Sequence, residues 1–213
     1  MNMKIAVYSS KGSAGKTPIS TNIALEKDFC IGTNEAFHVY DNLIADNKLI
    51  ALNTEEAFPH ELIEQDVDIV FDLAGSISKL AISITSALKM SNFVIVPIYN
   101  EYKSLVAGLN TINQIQEFNQ NIIVVATKLQ KQRIDIFRDD WTHSEDFKNI
   151  KRSIKSKIRQ EIPVLPLKFS KVFDNIFEEQ KSIKQLMAAS ALAKHSYKDV
   201  AKQFDAIYEL IGI

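Results

Sequence analysis

The stretch Ser10-Lys11-Gly12-Ser13-Ala14-Gly15-Lys16-Thr17 follows at once on the apolar run Ile5 to Tyr8 and leads into apolar residues at Ile19, Ile23 and Leu25. A strand, a glycine-rich turn and a helix in that order constrain the fold more than any other feature of the chain. Further runs rich in β-branched and aromatic residues recur at Val67 to Phe71, Phe93 to Ile98, Ile122 to Ala126 and Val164 to Leu167. Between them lie stretches with helical spacing, such as Leu105, Leu109, Ile112, Ile115, Gln116 and Phe118. The alternation predicts an α/β fold with a mostly parallel, twisted central sheet flanked by helices. Phe29 to Ile31 and Phe37 to Tyr40 compete to be the second strand, and periodicity does not choose between them. With 213 residues, 46% hydrophobic content and no repeat, residues 1–213 read as a single domain.

Small residues at Gly12, Ser13, Ala14 and Gly15 let backbone N–H groups turn inward around a polyphosphate, and the positive end of the next helix adds favourable charge. Lys16 is placed to neutralise the β and γ phosphates, and Thr17 to offer its hydroxyl to Mg2+. Pro18 is tolerated in the first helical turn, where its missing N–H has no intrahelical partner to lose. A glycine turn without nucleotide is the alternative; lysine and threonine between strand and helix favour the three-layer sandwich of the P-loop NTPases. Later, Val67-Asp68-Ile69-Val70-Phe71-Asp72 ends an apolar strand in an aspartate. A carboxylate there lies at the sheet edge where α/β ligands bind and can hold Mg2+ through water. Capping of the next helix is the alternative role, one that Ser76 could also fill.

Ser10 replaces the first glycine of the ordinary phosphate-loop pattern, and Lys11 precedes Gly12. Lys11 to Thr17 thereby resembles the deviant Walker A motif of the ParA/MinD ATPase family, KGGxGKT, with Ser13 in place of the second glycine. Asp72 resembles the family's Walker B aspartate. The resemblance implies ATP held by Lys11, Gly12, Ser13, Ala14, Gly15, Lys16, Thr17 and Pro18, with Mg2+ at Thr17 and Asp72. It also implies a homodimer formed on ATP, in which Lys11 crosses the interface to touch the partner's nucleotide. In the family an Asp-x-Asp-Pro motif after the second strand orients the attacking water. No such tetrapeptide occurs here, which leaves Glu35 and Asp41. Asp41 lies 25 residues beyond Lys16, close to the family spacing, whereas Glu35 keeps the offset after a short first helix and is preferred. Phe93 to Pro97, with Asn100 and Ser104, resembles the approach to the family's long interface helix. Thr127 stands where the family carries an adenine-contacting asparagine. Val164 to Leu167 and Lys181-Ser182-Ile183 resemble the last strand and the start of the penultimate helix.

A formal net charge of -1 excludes bulk attraction to nucleic acid, so any DNA contact needs a local patch. Lys148, Lys151, Arg152, Lys155, Lys157 and Arg159 supply one, in a helical segment whose apolar face is Phe147, Ile150, Ile154 and Ile158. Such a face can meet phosphates without reading bases, as ParA relatives do when ATP holds them as dimers; a solvated lysine face is the alternative. MinD relatives end instead in a basic amphipathic helix that lies on the membrane. The last helix here mixes Lys198 and Lys202 with Asp199, Asp205 and Glu209, and its stripe from Tyr197 to Ile211 reads as a core face. The opening Met1-Asn2-Met3-Lys4 runs into a strand too short for a signal core or a membrane span, so the expectation is a cytoplasmic, nucleoid-associated protein with no membrane partner. The lone cysteine, Cys30, rules out the paired thiols of iron–sulfur relatives. The resemblance therefore implies a ParA-like ATPase that partitions plasmid or chromosomal DNA with a ParB-like centromere-binding protein. The alternatives are a MinD-like positioning ATPase and a dethiobiotin-synthetase-like ligase, against which Lys11 argues.

Overall fold

Seven apolar segments pair into one sheet whose strands all run parallel: β1 (Lys4–Val7), β2 (Cys30–Thr33), β3 (Leu49–Ala51), β4 (Ile69–Asp72), β5 (Phe93–Ile98), β6 (Ile122–Leu129) and β7 (Val164–Lys168). The structure, a computed structural model, describes residues 2–75, 81–131 and 140–213; Ser76 lies outside them. The strand order is β3-β2-β4-β1-β5-β6-β7, with β1 at the centre. Helices connect the strands: α1 (Lys16–Lys27), α2 (Glu61–Glu64), α3 (Ile82–Met90), α4 (Tyr102–Ile115), α5 (Glu145–Lys157), α6 (Val172–Glu179), α7 (Ile183–Ala188) and α8 (Ala191–Ile211).

The period of two along each strand divides the core between the two faces. Ile5, Val7, Ile31, Val70, Ile95, Val125 and Leu167 pack under α1, α6, α7 and α8. Ala6, Phe71, Val94, Val96, Val124 and Ala126 pack under α2, α3, α4 and α5. The expected sandwich is thus present, and its sheet is parallel throughout rather than mostly so. The stripe on α8 is a core face: Val200, Ala201, Phe204, Ile207, Tyr208 and Ile211 are buried against the sheet side that holds α1. Among the described residues no helix is long and apolar enough to cross a membrane.

The second strand settles on the Phe29 to Ile31 side, displaced to Cys30–Thr33. Phe37 to Tyr40 is not a strand but part of the following loop, with Phe37 96% exposed and Tyr40 wholly buried. Sequence patterning missed β3, a three-residue edge strand of half-buried and exposed residues that pairs with β2.

Two tight contacts position the elements around the first loop. Asn22 on α1 accepts from the Ile183 N–H at 2.8 Å and donates to the Tyr208 hydroxyl at 3.0 Å, tying the helix to α7 and α8. On the other face α4 lies so close to β5 that a side chain at Gly108 would collide with Ile98 Cδ1. The helix predicted from Leu105, Leu109, Ile112 and Ile115 therefore buries a seam of small residues, Ser104, Gly108 and Thr111, beside Ile112 and Ile115.

Candidate functional site

The parallel register sets Val7 beside Asp72, so the loop leaving β1 and the carboxylate ending β4 emerge side by side at the C-terminal edge of the sheet. The loops after β2, β6 and β7 open on the same edge, because every strand points that way. Together they enclose a cleft of about 590 Å³, a size that fits a small-molecule ligand. Its walls are Gly12, Ser13 and Gly15 to Ile19 on one side, Glu35, Ala74 and Gly75 at one end, and Thr127, Lys128, Leu167 to Ser170, Phe173 and Asp174 at the other.

The glycine loop is held from both sides. Ser10 N–H donates to Thr111 Oγ1 at 3.2 Å, and the two hydroxyls are 2.9 Å apart, which pins the loop's first residue to α4. Thr127 donates its hydroxyl to the Ala14 carbonyl at 2.9 Å, which pins its far side. Thr127 thus lines the cleft with its hydroxyl proton already engaged. Ser13 takes the left-handed turn, φ 58°, where the family pattern has glycine, a conformation that costs a residue with a Cβ about 1 kcal/mol. Its side chain is exposed, so the cradle stays open. Gly15, at φ 100°, precedes α1, and no side chain caps that helix. The first N–H groups of α1 are thereby left to a ligand, at the positive end of the helix dipole.

Lys16 is buried along the cleft wall, and Thr17 follows it on the same turn. Asp72 is 1% exposed, and both carboxylate oxygens have hydroxyl neighbours: Ser20 at 3.4 Å from Oδ1 and Tyr40 at 2.9 Å from Oδ2. Burial pushes the Asp72 carboxyl above the usual carboxylate range; hydrogen bonds from Thr17 and Tyr40 and the charge of Lys16 oppose the shift. Glu35 faces the same space. Burial, and then the negative charge of Asp72, raise its carboxyl, while Lys16 and His38 pull it down.

The two candidate acids therefore part company. Glu35 lines the cleft, whereas Asp41 is 75% exposed and faces His38 at 3.6 Å, outside the cleft lining. Lys11 is half-buried and is also outside the lining of its own cleft. Pro18 sits in the first turn of α1 and lines the cleft, as do Gly12, Gly15 and Thr17. Gly75 packs so near the loop that a Cβ there would meet Ser9 O at 3.1 Å, so the segment after Asp72 lies against the loop backbone.

Sequence reading missed Asn34 and Tyr40. Asn34 is buried, accepts from the Ala74 N–H at 2.7 Å and donates to Ser83 Oγ at 2.8 Å, which fastens the segment after β4 to the loop after β2. The far end of the cleft, from Leu167 to Asp174, was also unassigned. The only signal for it was position, since it follows a strand on the ligand-binding edge.

The six basic candidates Lys148, Lys151, Arg152, Lys155, Lys157 and Arg159 are all exposed, opposite the buried Phe147, Ile150 and Ile154. Lys148 pairs with Glu145 at 3.2 Å. Arg159 falls outside α5, because the helix ends at Lys157 and Ile158 is extended.

An arrangement of inward N–H groups, one buried ammonium, one threonine hydroxyl and a buried carboxylate can take up a polyphosphate with a hard divalent cation. The oxygen donors suit Mg2+, which keeps waters and substrate oxygens in its shell; among the described residues no cluster of three or more His, Cys, Asp and Glu side chains offers an all-protein cage.

No protein-family model matches the chain, and no curated protein matches its sequence. Solved structures do match its fold. A variant of McdA from Cyanothece in complex with ATP superposes with a TM-score of 0.68 over 100% of this chain and 97% of its own, at 12% identity. The septum site-determining protein MinD from Pyrococcus horikoshii, complexed with Mg-ADP, gives 0.63 over 99% of each chain at 14% identity. A protein from Borrelia burgdorferi assigned to plasmid partition and bound to AMPPNP gives 0.56 over 96% of this chain and 98% of its own, at 16% identity. The chain therefore shares its fold with these McdA, MinD and plasmid-partition structures over nearly their whole length.

Proposed function

We propose that the chain is a single-domain ATPase of the ParA/MinD type that binds MgATP in the cleft, dimerises on it and hydrolyses it. The observation that carries this reading is the convergence of Lys16, Thr17, Asp72 and Glu35 at the uncapped start of α1. Lys16 holds the β and γ phosphates, Thr17 ligates Mg2+, Asp72 binds it through water, and Glu35 orients the water that attacks. Isothermal calorimetry with ATP and Mg2+ on folded protein tests it; no heat of binding overturns it.

Lys11 supports the dimeric part of the reading, because it leaves its own cleft and is free to reach a partner's. Lys11→Ala is expected to keep ATP binding and lose the ATP-dependent dimer. Light scattering with and without ATP decides: a dimer that persists in the variant removes Lys11 from the interface.

Within the class we favour a DNA-partitioning role, with non-specific DNA as the track, a ParB-like protein as the stimulating partner and the cytoplasm as the setting. The exposed basic face of α5 supports this, and the apolar stripe of α8 is buried on the sheet rather than offered to a membrane. Reversing Lys151, Arg152 and Lys155 to glutamate is expected to weaken DNA retention at low salt about tenfold or more and to flatten the salt dependence. Unchanged retention in a filter-binding assay would return that face to plain solvation.

A further inference from the structure

We propose that Tyr40 is a positioning residue for the Asp72 carboxylate and fastens the Glu35-bearing loop to it, so that metal occupancy at Asp72 is felt by that loop. The inference rests on the nucleotide reading of the cleft and goes beyond it.

The loop after β2 leaves Ala36, Phe37 and Val39 in water, yet drives the next residue, Tyr40, fully into the core. The Tyr40 carbonyl accepts from Leu43 and Ile44 N–H groups at 2.9 and 3.0 Å, so the ring is delivered by a defined turn. It packs in the cluster that contains Ile19 and Ile23 of α1, directly behind the phosphate loop. From there its hydroxyl donates to Asp72 Oδ2 at 2.9 Å, while Ser20 reaches Oδ1 only at 3.4 Å. Tyr40 is thus the closer of these two hydroxyl partners of a carboxylate that has almost no contact with solvent.

Each carboxylate oxygen offers two acceptor sites. One site on Oδ2 is taken by the phenol, which restrains the carboxylate, while Lys16 and Thr17, which both act on it, line the cleft. Partners that orient a metal-facing carboxylate in this way govern metal affinity even though they never touch the metal. The same bond closes a loop: Glu35 and Tyr40 sit on one segment, so a shift of Asp72 on taking up or losing a hydrated cation pulls on the segment that carries Glu35.

The test titrates Mg2+ against binding of a non-hydrolysable ATP analogue by calorimetry, in wild type and Y40F. Phenylalanine keeps the ring and removes only the donor. The magnesium midpoint is expected to rise about tenfold, with analogue affinity in chelator unchanged and with no additional effect of Y40F in a D72N background. A second measurement needs no variant: in wild type, hydrogen exchange of residues 34–48 is expected to be slower with Mg-ADP than with ADP and chelator. An unmoved midpoint, or equal exchange in the two conditions, overturns the role of Tyr40 alone, since wild type still binds nucleotide. Wild type that takes up no nucleotide at any magnesium concentration overturns the underlying reading, and this inference with it.

Discussion

Lys16→Ala is expected to weaken ATP binding by about 100-fold or more, which places it beyond ordinary calorimetric detection. A charge-assisted contact of this kind contributes about 1.5–3 kcal/mol; on the proposed reading Lys16 would make two of them, to the β and γ phosphates, and among the described residues of the cleft lining no other lysine is as buried. The replacement also removes the positive charge that holds Asp72 and Glu35 toward their ionised forms. The cleft then loses the buried positive group that an anionic ligand would meet, and its attraction for that ligand falls. Because the Lys16 stem is part of the cleft wall, thermal melting of the variant must accompany the binding assay. A folded variant that binds ATP as wild type does would remove the phosphate assignment.

Glu35→Gln is expected to leave ATP binding in place and to cut turnover about 100-fold, within the range seen when a positioned acid or base is removed. Phosphate release by a coupled assay reads the loss; wild-type turnover in the variant would transfer the role elsewhere. The pH dependence provides an independent check. Burial, aided by Asp72, raises the Glu35 carboxyl, so between the ordinary glutamate value and this raised value the folded protein holds a proton that the unfolded chain has released. The stability from that proton is complete below the ordinary value and is lost as pH rises through the raised one. Wild type is therefore expected to melt progressively lower than Glu35→Gln as pH rises across that window, with the gap constant below it. On the proposed reading water orientation needs the carboxylate, so wild-type turnover is expected to fall toward acid as Glu35 takes up its proton. A gap that widens toward acid would reverse the assigned shift.

The part of this molecule that is legible in the sequence is the part whose physics is local. A buried parallel strand must be a continuous apolar run, so β1, β4, β5, β6 and β7 stand out, and a phosphate loop must have small residues, a lysine and a hydroxyl in order. What is hidden depends on partners distant in sequence. β3 has no apolar excess of its own because it is a short edge strand that is satisfied by pairing with β2. Phe37 to Tyr40 imitates a strand because Phe, Val and Tyr are all common in strands, yet one ring is in water and the other is in the core under α1. Asn34 and Tyr40 look like ordinary loop residues until the strand order places β4 beside β2 and brings Ala74 and Asp72 within reach. The choice between Glu35 and Asp41 has the same origin. Spacing along the chain points to Asp41, but Thr33 closes β2 next to Asp72, which puts Glu35 over the cleft and sends Asp41 outward.

The hydroxyl pair between Ser10 and Thr111 ties the leading edge of the loop to the middle of a helix whose opposite side carries Tyr102 and Val106 in solvent. Gly108 is pressed against Ile98 one turn before Thr111. Thr111 therefore holds Ser10 where the helix backbone lies closest to β5. Among the described residues no α4 side chain lines the cleft, so the helix bears on it only through the loop whose first residue it holds.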